Sequence, residues 1–169
     1  MNTQSDMRIA QDQIRKAIGH LSVALHTFEV VAEEDPVTCQ VELWCDGGAK
    51  PNPGEGYGSY AIFKHGGNTY SPVARDTKIF GQDMTNNEAE YDALIWGLKR
   101  IVFSWVPGYV NLLVKTDSKL VRSQILGNWR VKAEHLRPLR DEARELLAGF
   151  ASWRIQHVPR KLVVARLGH

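Results

Sequence analysis

Asp46-Gly47-Gly48-Ala49-Lys50-Pro51-Asn52-Pro53-Gly54 is the stretch that decides how this chain folds. An alternating apolar run (Val41, Leu43, Cys45) leads into it and ends at a carboxylate. Glycines and a proline-rich loop follow. Two further stretches share its character: Thr85-Asn86-Asn87-Glu88-Ala89-Glu90 and Thr116-Asp117-Ser118. Each sets a carboxylate beside small or amide residues at the boundary of a regular element. Carboxylates drawn together from three distant places repel one another unless positive charge sits among them. Hard oxygen ligands of this kind suit a divalent metal. A carboxylate-held Mg²⁺ is a general means of cutting a phosphodiester.

Outward from these stretches, the pattern predicts a first strand ending at Asp46 and a second over 57–64. His65-Gly66-Gly67-Asn68 reads as a hairpin turn, and 69–80 as a less regular third strand. Residues 86–105 predict a helix whose buried face is Tyr91, Leu94, Ile95, Leu98, Ile101, Val102 and Trp105, stopped by Pro107-Gly108. Leu112-Leu113-Val114 is a continuous apolar run, as in a central strand, and that strand ends at Asp117. Helices at 118–126 and 133–148 and a last strand from Trp153 to Val158 complete the series. A three-strand meander followed by strand–helix units gives an α/β fold: a mixed sheet with helices on its faces. Ligands of such sheets gather at strand C-terminal ends. Asp46 and Asp117 are expected there, with Glu90 in the first turn of the long helix.

Residues 1–37 read as an N-terminal helical extension and linker, and 38–169 as the main domain. Ile14, Ile18, Leu21, Leu25, Phe28 and Ala32 make one apolar stripe at helical spacing. Three readings stand open for it. It packs on its own domain, it offers a surface for a homodimer or partner protein, or it is the remnant of a linker.

The chain has 169 residues, enough for one domain with a full core. Its formal net charge of +2 says little about partners. The distribution says more: residues 1–35 carry six acids and three bases, and the rest carry 18 bases against 13 acids. That balance suits a polyanionic partner. Cys39 and Cys45 share a predicted strand face roughly 20 Å apart at ~3.3 Å per residue, too far for a disulfide. Free thiols fit a reducing cytoplasm. No apolar run approaches a membrane span of about 20 residues, and the N-terminus has neither a signal-peptide core nor the character of a transit peptide.

The Asp-Gly-Gly…Asn-Pro-Gly loop, the Thr-Asn-Asn-x-x-Glu helix start and the Thr-Asp-Ser strand end come in the order found in type 1 ribonucleases H. The chain resembles that family over about residues 40–160. The resemblance implies a ribonuclease H-like five-stranded sheet, with a three-strand antiparallel meander and two parallel strands flanked by helices. It implies hydrolysis of the RNA strand of RNA–DNA hybrids by a two-metal mechanism, with Mg²⁺ as cofactor and Mn²⁺ as its alternative. Asp46, Glu90 and Asp117 fall on the metal-binding positions, Asp46 being shared by two ions. Glu88 does not match, although periodicity alone does not separate it from Glu90.

Substrate contacts carry over onto Gly47, Gly48 and Asn52 along the RNA backbone. They carry over onto Asn86 and Asn87 in the minor groove and onto Thr85 at a DNA phosphate. Ser118 opens the next helix as in the family. Asn52 is equally a turn residue and Thr85 equally an N-cap. Gly127-Asn128-Trp129-Arg130-Val131-Lys132 runs straight toward the next helix, without the basic protrusion of some members. In this it is similar to the compact, archaeal-like subgroup. Trp129 either packs on nucleic-acid sugars or caps the core. In that subgroup an arginine replaces a mobile catalytic histidine. Arg160 fits this catalytic role, with a plain surface arginine as the other reading, and His157 reads as a structural strand histidine.

One family feature is missing. A fourth carboxylate belongs in the last helix, after His157-Val158-Pro159-Arg160. Arg166 stands in its place if one gap is allowed, Leu167 if not. After Glu145 the chain has no acid except the terminal carboxylate. Three outcomes follow: a nuclease of impaired activity, a catalytically silent hybrid-binding or assembly domain, or a truncated or altered form of an ordinary enzyme. A nuclease of the same fold acting on DNA is a further rival. Nucleotide-binding loops do not fit, because Gly54 is followed by Glu55 rather than Lys-Ser/Thr, and a strand rather than a helix follows the loop.

Overall fold

A computed structural model describes residues 38–66 and 69–168, and the statements below concern those residues. The predicted N-terminal helix and its stripe lie outside them, as do the two central turn residues 67 and 68. Five strands form one sheet: β1 (Cys39–Lys50), β2 (Gly54–Gly66), β3 (Thr69–Met84), β4 (Val110–Thr116) and β5 (Ser152–His157). Four helices accompany it: α1 (Asn86–Ser104), α2 (Lys119–Ile125), α3 (Leu136–Ala148) and α4 (Arg160–Leu167). A 3-10 turn at Pro107–Tyr109 links α1 to β4.

Strand order is β3-β2-β1-β4-β5. The first three strands pair antiparallel as a meander, while β4 joins β1 and β5 joins β4 in parallel. This is the mixed sheet expected from the sequence. Alternation along β1 sorts its side chains onto two faces. Val41, Leu43 and Cys45 enter the main core beneath α1, with Tyr91, Leu94, Leu98 and Ile101. Trp44 faces the other way and packs with Val163 and Leu167 of α4, Val158, Ala61 and Phe63.

Several boundaries move. The first strand continues past Asp46 to Lys50, because Gly47, Gly48 and Ala49 keep their register with Gly58, Tyr57 and Gly56. Asp46 is therefore inside a strand rather than at its end. The long helix starts at Asn86 as expected, and Glu90, its fifth residue, stands just past the first turn, which holds Glu88. Val102 is on the rim, 37% exposed, and Trp105 is the C-cap. Leu113 is half-buried, since β4 alternates like its neighbours. Helix α4 has no clear apolar period, and periodicity did not mark it. Both cysteines are free; Cys45 is buried, whereas Cys39 is half-buried. No described helix is long and apolar enough to cross a membrane.

Candidate active site

Backbone contact brings the acids together. Gly47 lies so close to α1 that a Cβ there would meet the Ala89 carbonyl oxygen at 2.1 Å. Asp46 precedes Gly47 and Glu90 follows Ala89, so this approach sets the two acids at one junction. Asp117 enters from the turn between β4 and α2. Ser118 is the N-cap of α2: its Oγ accepts from Val121 N at 3.2 Å and donates to Glu90 Oε2 at 2.5 Å. One hydroxyl thus closes a helix and braces the acid of another. Thr116 Oγ1 accepts from Ser118 N at 3.1 Å and holds the turn.

Arg160, the first residue of α4, reaches back to this junction. Its Nη1 lies 3.4 Å from Asp46 Oδ1 and 3.1 Å from Asp117 Oδ2. Both aspartates therefore face a single nitrogen. Asp46 is buried, while the arginine side chain is 64% exposed. Burial, with the Asp117 and Asp46 charges, lifts Glu90 to about 7 against a hydrogen bond from Ser118 that favours its ionised form. The Arg160 guanidinium is held still more firmly protonated, chiefly by Asp46. Burial and the same three carboxylates push the Cys45 thiol up, so it stays protonated. The donor set is hard oxygen with concentrated negative charge, and a guanidinium already sits in it. That chemistry fits a divalent cation. As they stand, no three His, Cys, Asp or Glu side chains among the described residues are gathered in metal-gripping geometry.

The amide residues lie on one side of this junction. Asn86 Oδ1 accepts from Ala49 N at 2.7 Å, and Asn86 N donates to Asn52 Oδ1 at 3.1 Å. These two asparagines tie the 50–54 loop to the start of α1. Thr85 is its N-cap in a full capping box: Glu88 N donates to Thr85 Oγ1, and Thr85 N donates to Glu88 Oε2 at 2.8 Å. Glu88 is thereby committed to the cap, which separates it from Glu90 as periodicity did not. Gly48 packs against the Tyr57 phenol, where a Cβ would come within 2.9 Å of its oxygen.

Trp129 is 51% exposed and so does not cap the core. It lines a cleft of about 500 Å³ with Asn87, Asn128, Arg130 and Lys132. A larger cleft, about 790 Å³, runs along β5 past Arg122, Trp153, Arg154 and His157, and none of the three acids lines it. Helix α4 carries no acid. Leu167 is buried, and the Arg166 guanidinium lies over the rings of Trp44, Phe63 and Tyr70 at 5.1–5.7 Å. The arginine that meets the aspartates is therefore Arg160, a placement that sequence spacing did not give.

Residues 45–165 match the family described as "Reverse transcriptase-like". A curated relative, ribonuclease HI of Halobacterium salinarum, is 37% identical over 121 residues, covering 72% of this chain and 57% of the relative. The chain thus spans little more than half that protein's length. The crystal structure of RNase H1 from the same halophilic archaeon is 35% identical, with a TM-score of 0.66 over 75% of this chain and 90% of that one. LC11-RNase H1, solved in complex with an RNA/DNA hybrid, is 26% identical, with a TM-score of 0.65 over 75% of this chain and 90% of that one.

Proposed function

The chain belongs to the reverse transcriptase-like family, with type 1 ribonucleases H among its relatives, and from that premise we propose that it is a metal-dependent endonuclease cutting the RNA strand of RNA–DNA hybrids. The observation that carries the proposal is the sharing of one cationic nitrogen by Asp46 and Asp117, beside a Glu90 whose proton affinity both raise.

Asp46, Glu90 and Asp117 are the residues to hold Mg²⁺, or Mn²⁺ in its place. A bound divalent ion would supply charge stabilisation for the phosphoryl oxygens and lower the pKa of water. Asp46, on a rigid strand, fixes the centre. Ser118 orients Glu90 by its hydrogen bond. Arg160, once released from the aspartates, has the geometry and exposure to pair with a phosphate oxygen. Around this centre the RNA backbone runs past Gly47 and Gly48 in this reading, while the lack of side chains at these two positions is already required by Ala89 and Tyr57. In the same reading Asn52 follows the RNA backbone, and Asn86 and Asn87 reach the hybrid's wide minor groove, where 2′-hydroxyls mark the RNA strand. Thr85 meets a phosphate of the DNA strand in this reading, in addition to its capping role. Trp129 offers a surface for nucleic-acid sugars, and Arg130 and Lys132 beside it in the same cleft offer positive charge to the backbone.

The two-metal arrangement implied by the resemblance needs an acid from α4, which has none, and we expect lowered activity on that account. The second reading, a hybrid-binding domain that does not cut, rests on the same missing acid and on Arg160 lying across the aspartates. A labelled hybrid separates the two. Cleavage in Mg²⁺ or Mn²⁺ supports the enzyme, and retention without cleavage in either metal supports the binding domain. Cleavage of duplex DNA with the hybrid spared would favour a DNA nuclease instead.

A further inference from the structure

We propose that the cleft along β5 binds single-stranded RNA, the unpaired continuation of the strand whose hybrid portion lies at the carboxylates. The inference rests on the hybrid reading and adds to it a contact outside the carboxylate junction. The cleft holds about 790 Å³, the size of a pocket for part of a single strand rather than a surface for a duplex. Arg122 and Arg154 bring positive charge to its lining, Gln40, Asn111 and Gln156 bring amides, and Trp153 brings an indole, while no acid lines it. These groups suit a single strand: cations for phosphates, an aromatic ring for a base, amides for base edges and 2′-hydroxyls. Arg122 is held in position, its Nε donating to the Ile155 carbonyl oxygen at 3.3 Å, and Arg154 is exposed.

Topology joins this cleft to the centre. His157, which lines it, stands opposite Thr116, the residue before Asp117, and Val158 N donates to the Thr116 carbonyl oxygen at 2.9 Å. From that end the cleft follows β5 back to Ser152, roughly 16 Å at ~3.3 Å per residue. Helix α2 decides which strand enters. Leu120 and Gln124 line the Trp129 cleft, whereas Arg122 and Leu126 line the β5 cleft. Positions two apart point to opposite sides of a helix, so α2 parts the two clefts. Thr85, read as the contact to the DNA strand, lies two residues before Asn87, on the Trp129 side. The strand that leads past α2 on the other side is then the one crossing the carboxylates, the RNA. An acidic protein segment would satisfy the same charge, but continuity with the carboxylates favours the RNA.

Binding without turnover tests this. By fluorescence anisotropy in EDTA, the full chain is titrated against a blunt RNA–DNA hybrid, against hybrids whose RNA strand runs on unpaired at its 5′ or its 3′ end, and against hybrids whose DNA strand does so. Arg154→Glu and Arg154→Lys are measured beside it. An RNA extension at one of the two ends should tighten binding by about tenfold, the scale of one stacked base with a few phosphate contacts, and a DNA extension should not. Arg154→Glu should lose most of that gain while keeping the blunt-hybrid affinity, and Arg154→Lys should retain most of it. Equal affinity for blunt and RNA-extended hybrids would overturn the inference, as would an equal gain from a DNA extension, or a gain that Arg154→Glu leaves intact. A poly-glutamate peptide bound by the unaltered protein and not by Arg154→Glu, with no gain from an RNA extension, would assign the cleft to an acidic protein segment instead. Each of these results leaves the hybrid reading standing where the blunt hybrid is still bound, and cut in Mg²⁺. Failure of every hybrid to bind would overturn both.

Discussion

Gly47 of β1 and Ala89 of α1 approach so closely that no side chain fits between them: a Cβ on Gly47 would stand 2.1 Å from the Ala89 carbonyl oxygen and 2.3 Å from its carbonyl carbon. The obstruction is helix backbone, which cannot rotate away as a side-chain tip can. The neighbours of this pair, Asp46 and Glu90, owe their proximity to it.

Gly47→Ala should therefore push α1 off β1 and part the two acids. Overpacking of this kind costs about 2 kcal/mol, seen as a fall in Tm of roughly 5–10 °C, and Mn²⁺ affinity should fall with it. A Gly47→Ala protein with unaltered Tm and metal binding would show that the approach is slack.

Glu88 and Glu90 should come apart in their effects. Glu88→Ala breaks the capping box that it forms with Thr85 and should cost about 1 kcal/mol of stability while leaving metal binding in place. Glu90→Gln should keep the fold, removing a half-buried acid whose ionised form its neighbours disfavour, and should weaken Mn²⁺ binding. Thermal melts and calorimetry on both variants check this, and the reverse pattern would reassign the ligand to Glu88.

Glu42 is a buried acid on β1 with a structural task. Trp44 Nε1 donates to it at 2.5 Å, Tyr70 OH donates to the same oxygen, and Lys115 Nζ pairs with it at 2.8 Å. Burial alone would raise its pKa, but the hydrogen bonds from Lys115, Tyr70 and Trp44 outweigh burial and hold it below the usual carboxylate value. A depressed folded pKa contributes stability above the unfolded value, near 4.3, and that stability is lost as pH falls through the folded value. Glu42→Gln should therefore cost about 3 kcal/mol at pH 7 by stranding Lys115. The gap to the unaltered protein should narrow below about pH 4. Urea midpoints at pH 7 and at successively lower pH measure it; a gap independent of pH would contradict the ion pair.

Trp129, half exposed in its cleft, should matter for binding and little for folding. Trp129→Ala should weaken hybrid binding by about 1–3 kcal/mol with Tm nearly unchanged. Binding of the unaltered protein should also fall steeply with salt as phosphate contacts release counterions. A flat salt response, or a large loss of Tm in Trp129→Ala, would argue against a nucleic-acid face here.

The sheet was legible because its signals are local, and the three acids were named through the order of three short motifs. Alternation marks β1 and β2, helical spacing marks α1, and the small residues beside Asp46 and Asp117 mark close packing at a shared centre. What stayed hidden is tertiary. Gly47 to Ala49 read as loop because glycines carry no strand signal, yet pairing with β2 keeps them in the sheet. Glu88 and Glu90 were inseparable by angle until the cap claimed one of them. Arg166 stood near a missing acid by counting, but an aromatic layer assembled from three strands draws it away. Arg160 was named through the family resemblance, but its meeting with Asp117, 43 residues away, and Asp46, 114 away, is a matter of tertiary structure.

Cleavage of an end-labelled RNA–DNA hybrid, in Mg²⁺ and in Mn²⁺, by the full chain beside Asp46→Asn and Asp117→Asn tests the central claim most directly. The account predicts that the RNA strand is cut by the unaltered protein. It also predicts that either substitution lowers the rate by at least about a hundredfold with the fold retained by circular dichroism. An intact RNA strand in both metals, or undiminished cutting by Asp46→Asn, would contradict it.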